Sequence, residues 1–167
     1  MYHTGVAERN FRSVGFMLST LGYATSRAFH RVLAPLELEP SQFAVLRGVG
    51  FDEGRSQQAL AERLRISPSR VVAIVDDLES RQLLERRPHP SDRRVRNLHL
   101  TSRGRELLDQ ATKLAMEHEQ RLGEAFTDAE RTQLLDLLDK LAASLDLAGG
   151  AHAALRENDE SGGSSNA

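Results

Sequence analysis

Residues 56–101 read SQQALAERLRISPSRVVAIVDDLESRQLLERRPHPSDRRVRNLHLT, and the fold turns on how this stretch divides. Ser56 suits a helix N-cap, and Gln57, Gln58, Ala59, Leu60 and Leu64 follow it with helical spacing until the pattern breaks at Ile66. Ser67-Pro68 opens another helix, with a capping serine and a proline at the first helical position, where its missing N–H is no loss. Val71, Val72, Val75 and Leu78 are expected to form its inward face, which reaches Leu83 and Leu84. The period then shortens. Leu84–Arg87 and Arg96–Leu100 read as two strands, with Leu98 and Leu100 on one face. Between them Pro88-His89-Pro90-Ser91-Asp92 forms a turn-rich tip that carries Arg93 and Arg94. Helix, short break, helix, hairpin is a winged helix-turn-helix.

Working outward, Phe11, Val14, Leu18, Leu21, Ala28 and Val32 keep helical spacing until Leu33 and Pro35. A helix from Pro40 to Gly50 follows, then a turn at Phe51–Gly54. Thr101 caps a long helix that is apolar at Leu107, Leu108, Ala111, Leu114, Ala115 and Leu122. Thr127-Asp128-Ala129-Glu130 is a capping box that starts a last helix, with leucines at 134, 135, 137, 138, 141 and 145. The predicted class is mainly α with a small β-hairpin wing. Helices at 10–34 and 102–147 flank a DNA-binding domain at 38–101, and 149–167 is expected to be a disordered tail.

Charge is distributed unevenly. The chain has a formal net charge of −2, yet residues 55–105 hold twelve arginines, no lysine and six acids, a local charge of +6. A basic middle in an acidic frame favours a polyanion locally, although a solvated arginine-rich face would give the same counts. Cysteine is absent, which excludes disulfides, thiolate catalysis and cysteine-based redox sensing. No run approaches the roughly 18 apolar residues of a membrane span, and no secretory signal opens the chain, so a cytoplasmic location is expected. The six histidines, at 3, 30, 89, 99, 118 and 152, lack metal-ligand spacing. A glycine-rich phosphate loop, a serine elbow and a convergent acid pair are all missing, so neither a cofactor nor an enzyme is expected.

Double-stranded DNA is the expected partner. The second helix of a helix-turn-helix lies in the major groove with its first turn near the bases. Here that turn offers Ser67, Ser69 and Arg70, and the preceding helix start offers Ser56, Gln57 and Gln58. Arg93 and Arg94, on a narrow protrusion, suit a minor groove, whose negative potential attracts arginine. Asp92 would orient a nearby guanidinium, and Arg86 and Arg87 at the wing base would serve neighbouring phosphates.

These motifs in this order resemble the multiple antibiotic resistance regulators, the MarR family. The resemblance runs from roughly Phe11 to Leu145 and is strongest at Gln57–Leu64, Leu78–Arg86, Asp92-Arg93-Arg94 and Leu100–Gly104. It implies that the terminal helices of two chains interlock into a homodimer, that Arg94 enters the minor groove with Asp92 orienting it, and that a repressor is released by a small aromatic or anionic effector. A two-fold dimer implies a pseudo-palindromic operator with half-sites about 10 bp apart. The effector cleft would lie between the first, second and fifth helices, near Arg12, His30, Arg31 and His118. A winged helix that coats DNA without sequence preference, or that binds protein, is the alternative. Two residues depart from the family pattern. Gln82 stands where glycine is frequent, so that residue either turns left-handed at about 1 kcal/mol or lets the helix run on. Glu39 stands where threonine commonly caps the second helix.

Overall fold

The computed structural model describes residues 13–89, 96–145 and 147. Six α-helices and one hairpin run in the order α1 Val14–Leu33, α2 Pro40–Phe51, α3 Gln57–Leu64, α4 Pro68–Ser80, β1 Leu84–Pro88, β2 Arg96–Leu100, α5 Ser102–Gly123 and α6 Asp128–Ser144. A single 3-10 turn, Ala34–Leu36, joins α1 to α2. This is the winged helix-turn-helix read from the sequence, with α3 and α4 as the paired helices. Residues 10–12, the tip at 90–95 and the tail at 149–167 lie outside the described residues.

Local chemistry sets the helix ends. The Ser13, Ser56, Thr101 and Thr127 hydroxyls each accept from the backbone N–H three residues on, satisfying one of the amides that a helix start leaves over. Ser67 occupies the N-cap position of α4, but its hydroxyl lies 3.3 Å from that of Ser69 and makes no cap bond. Glu39 holds the threonine position ahead of α2, and its N–H donates to Gln42 Oε1 at 2.8 Å. Three non-glycine residues take the left-handed conformation at helix exits, with φ of 51° at Glu37, 53° at Arg65 and 58° at Gln82. Gln82 thus adopts the first of the two outcomes foreseen for it, and α4 stops at Ser80. The amide of Leu83 then donates to Leu78 O at 2.9 Å, and that of Gln82 to Glu79 O at 2.9 Å, closing the helix end.

The hairpin is antiparallel, pairing Leu84 with Leu100, Arg86 with Leu98 and Pro88 with Arg96. A third segment joins its far edge: Leu98 N–H donates to Arg55 O, Gly54 N–H donates to Leu98 O, and Ser56 bridges Asn97. These bonds fix the wing base to the start of α3. The core is almost wholly that of the DNA-binding unit. It holds Leu38, Phe43, Val45, Leu46, Val49, Leu60, Ile66, Val71, Val75, Leu78, Leu83, Leu84, Leu98 and Leu100, whereas α6 buries no residue. Val72 is a correction: expected inward with Val71 and Val75, it is 42% exposed, at the edge of the buried stripe of α4.

Among the described glycines, the tightest approach joins the start of the wing to α5. A Cβ at Gly104 would stand 1.7 Å from the Leu83 carbonyl oxygen, so only glycine fits without moving backbone. Thr101 completes this joint by donating its hydroxyl to Gln82 O at 2.7 Å and its N–H to Leu83 O at 3.2 Å. Beside it, Glu53 accepts from Leu100 N–H at 2.9 Å and pairs with Arg105 at 2.6 Å. Partial burial works to raise the Glu53 pKa, but the bonds from Arg105 and Leu100 and the nearby positive charge outweigh it and hold it below the ordinary carboxylate value.

Alanine would favour a helix interior by about 1 kcal/mol, but overpacking costs about 1–3 kcal/mol and here meets backbone. Gly104→Ala should therefore lower stability towards the upper end of that range in urea unfolding; an unchanged or raised midpoint would contradict the close approach. A depressed carboxylate pKa contributes stability above the unfolded value, and that contribution is lost as pH falls through the folded value. Glu53→Gln is expected to cost up to about 1 kcal/mol near pH 7 and clearly less at about pH 3, the loss setting in below the ordinary carboxylate range. A penalty that is the same at both pH values would rule out the ionised pair as its source.

Candidate nucleic-acid interface

One side of the molecule collects the start of α3, the outer face of α4 and the wing base. Ser69 is exposed and Arg70 half-buried in the first turn of α4, with Ser67 just ahead of them. The Ser56 hydroxyl is spent on capping α3, accepting from Ala59 N–H at 3.2 Å, which leaves its far side facing outward only in part. Gln58 is exposed and donates to Glu62 at 3.3 Å. Gln57 is half-buried and accepts from Arg86 Nε at 3.1 Å.

Arg86 is more enclosed than the sequence implied. Its side chain is only 19% exposed and pairs with both Asp76 and Glu79 of α4 while donating to Gln57 of α3. Its backbone N–H also donates to Glu79 Oε1 at 3.1 Å. One guanidinium therefore ties the recognition helix, the first helix of the pair and the wing, and its fork geometry suits several oxygens at once. Arg87, on the opposite face of β1, is exposed and pairs with Glu85. Asp92, Arg93 and Arg94 lie outside the described residues.

A second feature sits between α1, α2 and α5: a cleft of about 1080 Å³. Tyr23, Arg27 and Phe29 line it from α1, Phe43 and Arg47 from α2, and Ala115, Met116 and His118 from α5. The Phe29 ring meets Phe43 edge-on at 5.9 Å and lies 6.1 Å from the His118 ring. Arg27 sits 5.6 Å over the Tyr23 ring. Of the four residues expected near such a cleft, His118 lines it. His30 instead pairs with Glu39 at 2.7 Å, Arg31 is exposed on the last turn of α1 away from the lining, and Arg12 lies outside the described residues. The aromatic and arginine lining was missed, although Phe43 and Arg47 stand one helical turn apart, a spacing that places a cation beside a ring on one face.

The outer helices leave much apolar surface uncovered. Leu134, Leu135, Leu137 and Leu138 of α6 are 37–58% exposed, and Leu21 of α1 and Leu122 of α5 are 53% and 41% exposed. No helix among the described residues is long and apolar enough to cross a membrane.

Residues 36–95 match the sequence profile of the MarR family. A protein of Thauera aromatica named for the transcriptional regulation of an hcr operon is 33% identical over 129 residues, covering 77% of this chain and 78% of that protein. Among solved structures, the transcriptional repressor CouR bound to a 23-mer DNA duplex superposes with a TM-score of 0.71 at 36% identity, covering 85% of this chain and 99% of that one. CouR from Rhodococcus jostii RHA1 bound to p-coumaroyl-CoA superposes with a TM-score of 0.67 at 32% identity, covering 78% and 92%. With its helix order, its wing and these likenesses together, the chain belongs to the MarR family of transcriptional regulators.

Proposed function

We propose that this chain is a homodimeric, cytoplasmic repressor that binds a pseudo-palindromic duplex operator and leaves it when an aromatic, anionic ligand enters the cleft between α1, α2 and α5. The observation that carries the reading is the exposed outer face of α4, held between α3 and the wing by Arg86, with the core behind it. In that arrangement Ser69 and Arg70 meet base edges, while Ser56, Gln57, Gln58, Ser67 and Arg87 border phosphates. Arg93 and Arg94 follow the wing into the minor groove, with Asp92 orienting Arg94. Arg86 acts from behind, as the residue that holds the reading helix. The exposed leucines of α6, with the apolar stripes of α1 and α5, support pairing of two copies.

Two likenesses support the same reading, since CouR structures are described with a DNA duplex and with p-coumaroyl-CoA. The cleft here has the chemistry for an aromatic acyl group with an anionic carrier. Tyr23, Phe29 and Phe43 supply ring faces and edges, and Arg27 and Arg47 supply cations. The cleft also reaches the reading head physically. Arg47 and Phe43 lie on α2, whose Gln42 donates to Asp77 of α4 at 2.7 Å. A ligand that moves α2 against α5 therefore moves the recognition helix.

Fluorescence anisotropy on an operator fragment tests the proposal. Arg94→Ala should weaken binding by about 1–3 kcal/mol, the scale of one good contact, and p-coumaroyl-CoA, used as the probe, should release the wild-type complex. Unchanged affinity in the variant would remove the wing from recognition, and a complex indifferent to the probe would remove this ligand class.

A further inference from the structure

The outer face of α4 is less polar than a DNA-reading surface would ordinarily be. Val71, Val75 and Leu78 are buried on the inner side, which leaves Ser69, Val72, Ala73, Asp76 and Ser80 exposed along the outer side. Asp76 is engaged by Arg86, so its charge is drawn back towards the wing base. Asp77 is drawn the other way, accepting from Gln42 at 2.7 Å. The exposed second turn thus presents an alkyl pair, Val72 and Ala73.

Neither core packing nor helix propensity selects a valine at this position. It is 42% exposed, so core packing does not require it. Valine is a weaker helix former than alanine, leucine or lysine, so propensity does not require it either. In the major groove, however, one base-edge group matches an alkyl side chain: the 5-methyl of thymine. Building on the DNA-binding reading above, we propose that Val72 reads a thymine methyl in each half-site, with the small Ala73 leaving space beside it for the base. This makes Val72 a specificity-determining residue, and it assigns the operator a thymine under the second turn of α4.

The test uses an operator fragment recovered by selection with the full-length protein. Each thymine is replaced in turn by uracil, which pairs identically and lacks only the 5-methyl group. With the wild-type protein, one symmetry-related thymine pair should stand out, its replacement weakening binding about fourfold in one half-site and about 15-fold in both. Val72→Ala should bind the thymine operator more weakly and lose that sensitivity to uracil. Val72→Thr keeps the branched shape and one methyl group, so it should retain part of the sensitivity and serves if the alanine variant binds too weakly to measure. Wild-type binding that is selective yet indifferent to every uracil would overturn the inference and leave the DNA-binding reading intact. Equal uracil sensitivity in the wild type and both variants would assign the methyl contact to another residue and overturn it as well. Absence of any sequence-selective binding would overturn both together.

Discussion

The Leu83 carbonyl oxygen fills the volume where residue 104 would otherwise carry a side chain, and the rest of the architecture is arranged around that contact. Gln82 turns left-handed to bring Leu83 there, and Thr101 holds the approach from the other side with two hydrogen bonds while also capping α5. The end of the recognition helix, the return of the wing and the beginning of α5 are thereby one joint. Since α5 runs on to the uncovered apolar surface of α6, and flanks the cleft with α1 and α2, reading head and outer helices cannot move independently at this point. The left-handed glutamine costs about 1 kcal/mol relative to glycine, a small sum against the burial of Leu78, Leu83 and Leu84 that the turn permits.

Charge works on the same elements in a second way. The arginine-rich middle of the chain is not uniformly available to phosphate. Arg86 is occupied by two carboxylates of α4 and a glutamine of α3, Arg81 donates to Glu37 O and Gln42, and Arg105 pairs with Glu53. These arginines act as joints between elements far apart in sequence. Part of the local excess of positive charge is thus consumed in holding the reading surface. Acidic residues on a recognition helix would repel phosphates, and Arg86 offsets that by facing Asp76 and Glu79 together.

Much of this was legible in the sequence because the signals are local. Threonine at 101 and the capping box at 127 mark helix starts through hydrogen bonds that span three residues, and proline at 68 marks another by taking the first helical position, so spacing alone reveals them. The strands were found because Leu98 and Leu100 alternate with polar neighbours. What was not legible depends on contacts between distant segments. Val71 and Val72 are adjacent valines, and composition could not say which faced inward; the packing of α4 against α2 and α3 decided it. The enclosure of Arg86 required α3, α4 and β1 to converge across 29 residues of sequence. The cleft lining was missed for the same reason, since Phe29, Arg47 and His118 meet only once α1, α2 and α5 are packed.

The proposed repressor requires that this surface read sequence as a two-fold pair. Selection of bound fragments from genomic DNA by the purified protein, repeated at two salt concentrations, tests it most directly. The expected result is a recovered pseudo-palindrome with half-sites about one helical turn (about 10 bp) apart, bound far more tightly than random fragments at both salt concentrations. Recovery of no shared sequence, with affinity falling steeply in salt for every fragment alike, would contradict it and describe a protein that coats DNA through phosphate contacts alone.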